Sequence, residues 1–289
     1  MTSTPLAPPP APPAAGDAPQ PTRPRTSSRV VSIVVAAVGG AIVLGTFVGV
    51  ALSTVAVAGS RQDAATVAVT GVDALDIDVS GGSLTVAYAN VPDARLTVDR
   101  GMGSQAWTFE NRDGTLTVAS PDHLSAFGLP FGGNGTARLT LPASLRDFAV
   151  DARVQVDGGS VRLTGGRFDD LDATTNAGSL RISGVARTVT GQSSAGAAQL
   201  VLRDVESARL DVSAGRTIAT LKGTAPSSID VTVSAGLLQL DVPAGPYDVT
   251  SDVSAGAFHN ALGSTPGAAH TIHAEVSAGA LDLAPLPGR

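Results

Sequence analysis

A short phrase that ends in glycine returns through most of the chain, and it constrains the fold more than any other feature. Its fullest copies read Val-Ser-Ala-Gly, at 212–215, 233–236, 253–256 and 276–279. The closing glycines of all copies are Gly82, Gly159, Gly178, Gly196, Gly215, Gly236, Gly256 and Gly279. From Gly159 onward the spacings are 19, 18, 19, 21, 20 and 23 residues. Self-similarity at such a period is typical of stacked structural repeats.

The residues around each glycine predict two short β-strands in every period. Residues 75–79 (LDIDV) and 229–233 (IDVTV) alternate apolar with polar side chains, which is the pattern of a half-buried strand. The glycine ends the strand, because it reaches positive φ without a steric penalty. One such coil cannot bury its own apolar face, so we expect an all-β fold in which coils of about 20 residues stack as a β-solenoid. A β-sandwich is the alternative, since short strands at regular spacing also describe it.

The scarcity of aromatic residues agrees with a thin, repeated core. Hydrophobic residues make up 43% of the chain, but aromatic residues only 3%. One segment, 91–141, departs from the repeat and concentrates Trp107, Phe109, Phe127 and Phe131. We interpret it as a lateral loop or cap whose apolar side chains are candidates for a partner surface.

An apolar run near the N-terminus predicts a membrane anchor. Between Arg29 and Arg61 lie 31 consecutive residues without a charged side chain. A helix of roughly 20 apolar residues crosses a bilayer, so we predict a single transmembrane helix over 30–58. A cleaved signal peptide is the alternative, because Ala56-Val57-Ala58 resembles a cleavage site. The apolar regions of signal peptides span only about 7–15 residues, which favours the anchor.

The flanks and one face of the predicted helix indicate its orientation and its pairing. Arg23, Arg25 and Arg29 precede the run, so the positive-inside rule places the N-terminus in the cytoplasm and the C-terminal domain outside the cell membrane. Small residues recur at every fourth position, at Ala37, Ala41, Gly45, Gly49 and Ser53. Such a ridge lets two helices approach closely, which predicts a homodimer through the anchor.

The chain therefore divides into four predicted parts. Residues 1–29 contain nine prolines and form a disordered cytoplasmic tail, either a spacer or a docking site for a proline-recognising partner. The transmembrane helix follows at 30–58, then a linker at 59–73, and then an extracytoplasmic β-repeat domain at 74–285.

Charge and cysteine content exclude several kinds of function. The chain contains no cysteine, so it has neither disulfides nor thiolate metal sites. From Gln62 onward there are 15 basic and 24 acidic residues, and a domain this acidic repels phosphate backbones. We therefore expect no nucleic-acid partner.

No residue pattern predicts catalysis, a cofactor or a metal. His270 and His273 point to opposite faces of a strand, and His259 is separate in sequence, so a zinc site is not expected. The carboxylates of residues 169–172 (DDLD) lack the spacing of a calcium loop and indicate a solvated turn. At 132–137 (GGNGTA), alanine stands where a calcium-binding nonapeptide needs aspartate.

The phrase Val-Ser-Ala-Gly-x-Leu-x-Leu, together with residues 107–118 (WTFENRDGTLTV), resembles bacterial proteins of the DUF4097 group. That group is adhesin-like and is compared with auto-transporter heads. The resemblance covers roughly 74–283. It implies a repetitive β-fold on the cell envelope and brings no catalytic residues with it.

Two functions of different class follow from these features. The first is a non-enzymatic envelope protein whose β-repeat binds another envelope or cell-surface component, or has a structural role. The second is an accessory envelope-stress sensor that signals through paired transmembrane helices to the proline-rich tail. An enzyme of unrecognised type is the remaining alternative.

Overall fold

The computed structural model describes residues 62–99, 106–121 and 135–287, which form 19 β-strands. In chain order these are β1 (Gln62–Val67), β2 (Ala74–Val79), β3 (Ser83–Ala89), β4 (Ala94–Asp99), β5 (Thr108–Arg112), β6 (Thr115–Ala119), β7 (Thr136–Pro142), β8 (Ala149–Val156), β9 (Ser160–Thr175), β10 (Ser179–Ser193), β11 (Ala197–Arg203), β12 (Ser207–Val212), β13 (Arg216–Lys222), β14 (Ser228–Val233), β15 (Leu237–Val242), β16 (Tyr247–Val253), β17 (Ala257–Asn260), β18 (His270–Val276) and β19 (Ala280–Pro285). A 3-10 turn at Ala143–Arg146 is the one helical element among the described residues.

All 19 strands belong to one mixed sheet, so the all-β class predicted from the sequence is confirmed. Alternation produces the strands as expected. In β14, Ile229, Val231 and Val233 are buried, whereas Asp230 between them is exposed. Each buried aliphatic side chain contributes about 1.5–3 kcal/mol relative to an exposed one.

Most strands lie in two columns of parallel neighbours. Column A is the series β6, β2, β8, residues 168–175 of β9, residues 186–193 of β10, β12, β14, β18 and β16. Column B is the series β7, β3, residues 160–167 of β9, residues 179–185 of β10, β11, β13, β15, β19 and β17. The long strands β9 and β10 join the two columns.

The order within the columns differs from the order along the chain at both ends. Near the C-terminus, β18 lies between β14 and β16, and β19 lies between β15 and β17. The last two strands of the chain, β18 and β19, thus lie one position inside the end of each column, and β16 and β17 form the end itself. Near Ala74 the arrangement is similar, because β2 lies between β6 and β8, and β3 lies between β7 and β9.

Antiparallel strands cover the β6–β7 end. Strand β4 pairs with β7, β1 pairs with β4, and β5 pairs with β6. The segment 91–141 therefore supplies end strands, in agreement with its interpretation as a cap.

The linker predicted at 59–73 is wrong for Gln62–Val67, which is strand β1. The backbone groups of β1 pair with those of β4. So short a strand at the edge of a sheet leaves only a weak pattern in the sequence.

The core contains mainly Val, Leu, Ile and Ala. Among the described residues, Phe168 and Tyr247 are the two fully buried aromatic side chains. Each pair of strands thus contributes a thin layer of aliphatic groups, and in-register pairing places these layers on one another. This arrangement explains how a chain with few aromatic residues has a continuous core.

Two predicted parts lie outside the described residues. They are the proline-rich tail at 1–29 and the transmembrane helix at 30–58, with its ridge of Ala37, Ala41, Gly45, Gly49 and Ser53. Within residues 62–99, 106–121 and 135–287, no helix is long and apolar enough to cross a bilayer.

Candidate functional site

The eight glycines singled out from the sequence lie in one column at the corner that connects column A to column B. Their spatial order is Gly82, Gly159, Gly178, Gly196, Gly215, Gly236, Gly279 and Gly256. A Cβ added to Gly178 would lie 2.6 Å from the carbonyl oxygen of Gly159, and one added to Gly196 would lie 2.6 Å from that of Gly178. Real Cβ atoms do not approach backbone oxygen so closely, so only glycine fits this column.

The physical reason for these glycines differs from the one expected. Positive φ occurs at Gly82 (84°) and Gly159 (91°) but at none of the other six. Close stacking of one corner on the next is the constraint instead. The backbone ladder continues across the corner, since Ala197 N donates to Gly178 O at 2.9 Å and Ala214 N donates to Ser194 O at 2.8 Å.

A basic cleft of about 600 Å³ lies at the opposite corner, where column B leads into column A. We define it by its four exposed cations, Arg146, Arg167, Arg203 and Lys222. Among the described residues that line it, Asp147 is the one acid. Within the described part of the chain, none of the four cations forms an ion pair.

A β-bulge forms the floor of the basic cleft. Ser183 pairs with Thr164 and Val185 pairs with Arg167, so Gly165 and Gly166 together lie opposite Gly184. Gly165 and Gly166 have φ values of 85° and 102°, which glycine adopts without strain. A bulge leaves one residue outside the ladder and bends the strand. Here it creates a floor without side chains, over which a ligand can contact backbone.

Tyr88 packs against the glycine bulge and against Arg146 of the cleft. The guanidinium carbon of Arg146 lies 5.3 Å from the centre of its ring, within the range of a cation–π contact. A Cβ on Gly166 would lie 2.6 Å from the Tyr88 hydroxyl oxygen, so the phenol packs directly on the bulge. Burial raises the pKa of Tyr88 to about 12, against a smaller opposing effect of Arg146. The phenol is therefore neutral at physiological pH.

Register gives the cations their spacing. Arg167 lies opposite Val185, Val185 opposite Arg203, and Arg203 opposite Lys222. Asp204, next to Arg203, directs its carboxylate to the backbone N of Thr224 at 3.4 Å.

Sequence reasoning missed this cleft, because its residues come from separate elements. The 19-residue step from Arg203 to Lys222, one repeat period, is the signal that would have placed these two in one row.

The carboxylates of residues 169–172 lie in strand β9, so the solvated turn predicted for them is wrong. A second bulge places Asp169 and Asp170 opposite Asp151, because Val150 pairs with Phe168 and Ala152 pairs with Leu171. One oxygen from each of the three carboxylates lies within 4.8 Å of the others. The sequence alone cannot show a bulge that depends on the register of a neighbouring strand.

Arg187 offsets part of the negative charge of this carboxylate cluster. Its guanidinium hydrogen-bonds to Asp169 and to Asp170, the latter at 3.2 Å. The hydrogen bond from Arg187 holds the pKa of Asp169 below its usual range. The same hydrogen bond raises the pKa of Arg187. Asp76 also lies on column A. Burial raises the pKa of Asp76, and the positive charge of Arg153 partly offsets this rise.

The three histidines among the described residues, His259, His270 and His273, do not form a common site. His270 is half-buried, and its Nδ1 donates a hydrogen bond to the Pro226 carbonyl oxygen at 2.9 Å. His273 is exposed, and its Nδ1 lies 3.1 Å from Thr250 Oγ1. His259 lies in the other column, on β17. The two histidines of β18 therefore face different ways, as their spacing indicates.

The aromatic candidates for a partner surface are only partly described. Trp107 and Phe109 are half-buried and pack against the core at the β5–β6 end. Phe127 and Phe131 lie outside the described residues. The described pair thus covers the end of the core.

Neither a protein-family model nor a curated protein matches the chain. Three similar solved structures are a candidate adhesin from Bacteroides fragilis, and a candidate adhesin and a candidate lipid-binding protein from Parabacteroides distasonis. Their identities to this chain are 11%, 13% and 9%, with TM-scores of 0.43, 0.45 and 0.44. They cover 78%, 78% and 80% of this chain and 97%, 97% and 98% of their own. With TM-scores below 0.5, the function below rests on this chain's own residues.

Proposed function

We propose that this chain is a non-enzymatic, adhesin-like protein of the cell envelope. Its β-repeat domain is a β-solenoid of about 20 residues per coil that binds another envelope component. A transmembrane helix at 30–58 holds this domain outside the cell. The small-residue ridge of the helix pairs two copies.

The regular exposed surface is the observation that carries the binding role. Parallel pairing aligns outward side chains in rows, and one row of column A contains the exposed Arg209, Asp230 and His273 on successive strands. Neighbouring strands lie about 4.8 Å apart, so such rows repeat contact groups at a fixed interval. A repeated array suits an extended partner better than a single small substrate.

The solenoid assignment is supported by register and by the glycine column. Strands one period apart pair in parallel, as β11 does with β13 and β13 with β15. The closely stacked corners occur once in each coil. Nearest-neighbour stacking of this kind is how solenoid repeats bury a face that one repeat cannot bury alone.

The anchor is supported by the sequence, through the 31 uncharged residues between Arg29 and Arg61 and the three arginines before them. Protease treatment of intact cells, followed by mass spectrometry of released fragments, tests the topology. Release of a fragment that begins near Gln62, with a bound envelope component, is the expected result. Protection of the C-terminal domain contradicts the proposal.

Two further experiments, a pull-down of partners and a deletion of the β-repeat domain, separate binding from sensing. A cytoplasmic partner that is captured only when residues 1–29 are intact identifies a sensor. Loss of attachment to cells or matrix on removal of residues 74–285 identifies an adhesin. A variant with Gly45 and Gly49 replaced by Leu tests the helix pairing, because bulky side chains on the ridge keep two helices apart.

A further inference from the structure

We propose that the basic cleft of Arg146, Arg167, Arg203 and Lys222 binds a linear polymer of phosphate groups. This inference names a partner class for the binding role and rests on the proposed function for its cellular setting. The polymer lies across the strands, from Arg167 to Lys222, with the glycine bulge beneath it.

The charge distribution of the two columns is the first support. The strands of column A contain eleven acidic and three basic residues, whereas those of column B contain seven basic and two acidic residues. The basic residues of column B are Arg138, Arg162, Arg167, Arg181, Arg203, Arg216 and Lys222, and all are exposed. The net charge of the whole domain repels phosphate chains, but the excess of basic residues on column B gives it one positively charged side, which attracts an anionic chain and orients it.

The absence of protein partners for the cations is the second support. Arg203 and Lys222 lie directly opposite each other on β11 and β13, and like charges in that position destabilise a sheet. Arg187 and Arg209, by contrast, each contact a carboxylate. Within the described residues neither Arg203 nor Lys222 forms an ion pair, because the neighbouring Asp204 carboxylate lies against the backbone of Gly223 and Thr224. A bound anion supplies the compensating charge.

Spacing indicates a polymer instead of a single anion. Arg167 and Lys222 are three strands apart, so their Cα atoms are separated by roughly 14 Å at about 4.8 Å per strand. A single phosphate contacts only part of a row of this length when each side chain extends outward from its own strand. Several linked phosphates can contact the successive cations.

The donor set indicates phosphate. Three of the four cations are arginines, whose planar guanidinium binds phosphate oxygens in pairs, and Lys222 adds a point charge. The oxygens of a tetrahedral phosphate diverge, so one phosphate can bridge cations on adjacent strands. The Tyr88 phenol at the glycine bulge is neutral and adds no negative charge beside the cations.

Competition binding on the purified full chain in non-ionic detergent tests this proposal. The probe is fluorescent linear polyphosphate. We expect R203Q/K222Q to weaken binding by about tenfold or more and to reduce its salt dependence, on the scale of two lost phosphate contacts. The control R112Q/R209Q removes the same charge from two ion-paired arginines outside the cleft and should change affinity by less than about twofold.

Equal losses in both variants overturn the site. Competition by polyglutamate as strong as that by polyphosphate overturns the phosphate assignment. Equal competition per phosphate by glycerophosphoglycerol, the headgroup of phosphatidylglycerol, overturns the polymer in favour of a lipid. The localisation and the site can fail separately. If the domain is protected from protease on cells but polyphosphate binding still depends on the cleft, the proposed localisation is wrong and the phosphate site stands.

Discussion

A Cβ added to Gly178 would lie 2.6 Å from the carbonyl oxygen of Gly159 on the neighbouring corner. That oxygen accepts the backbone hydrogen bond from Ser179 N at 2.9 Å, so it cannot move away without loss of the ladder. The corner-to-corner distance of the stack is therefore set by the absence of side chains at both positions.

Replacement of Gly178 by alanine should lower the free energy of unfolding by about 1–3 kcal/mol or more, the cost of overpacking a closely packed site. Gly245→Ala is the matched control, because a Cβ there meets nothing within 4 Å and φ is not positive. Denaturant titration of both variants measures the difference. Equal stabilities would contradict close stacking as the reason for the glycine.

The two tyrosines should titrate together at unusually high pH. The chain contains only Tyr88 and Tyr247, and burial raises the pKa of each to about 12. In the unfolded chain both phenols ionise near pH 10. Their contribution to stability is thus complete below about pH 10 and is lost as the pH rises towards about 12.

Ultraviolet absorbance of tyrosinate measures this titration directly. The folded chain should show little tyrosinate at pH 10 to 11, where the denatured chain shows about half or more. A folded chain that titrates near pH 10 would show that the phenols are solvated.

Arg187→Gln should raise the pKa of Asp169 towards its ordinary value, since the hydrogen bond from Arg187 is the main cause of the depression. A carboxyl whose pKa is lowered on folding stabilises the protein above its unfolded pKa, and this contribution is lost as the pH falls through the folded pKa. NMR titration of the side-chain carboxyl measures the shift. Arg181→Gln is the control, because Arg181 contacts Gln199 instead.

Removal of residues 270–289 should release strands β16 and β17. Their ladder partners are β18 and β19, which this truncation deletes. We expect residues 247–260 to lose hydrogen-exchange protection while β11 to β15 keep theirs. Removal of residues 286–289 alone is the control and should leave both regions protected. Continued protection of 247–260 in the longer truncation would contradict this prediction and would show that β16 and β17 can pair directly with β14 and β15.

Much of the fold follows from the sequence because its repeat is local. Alternation in segments such as 229–233 and the period of the glycines depend only on neighbouring residues. The order of the strands does not. Val233–Gly236, Val253–Gly256 and Val276–Gly279 have the same sequence, so each corner fits on any other, and nothing in the phrase predicts that Gly279 lies between Gly236 and Gly256.

The basic cleft was out of reach for a related reason. Arg146 belongs to a 3-10 turn outside the repeat, and Arg167 follows a bulge that shifts its register. Only pairing across strands brings these residues to Arg203 and Lys222. The carboxylates of Asp151 and Asp169 meet at a second bulge in the same way.

The insertion of β18 and β19 has a consequence for how the chain is made. The ribosome delivers residues 247–260 before 270–285, yet the ladder partners that the earlier strands have in the final fold are the later ones. A stalled or clipped chain therefore presents the bare edges of β14 and β15, which are open to proteases and to aggregation. This end of the stack therefore reaches its final strand order only after residues 270–285 have been synthesised.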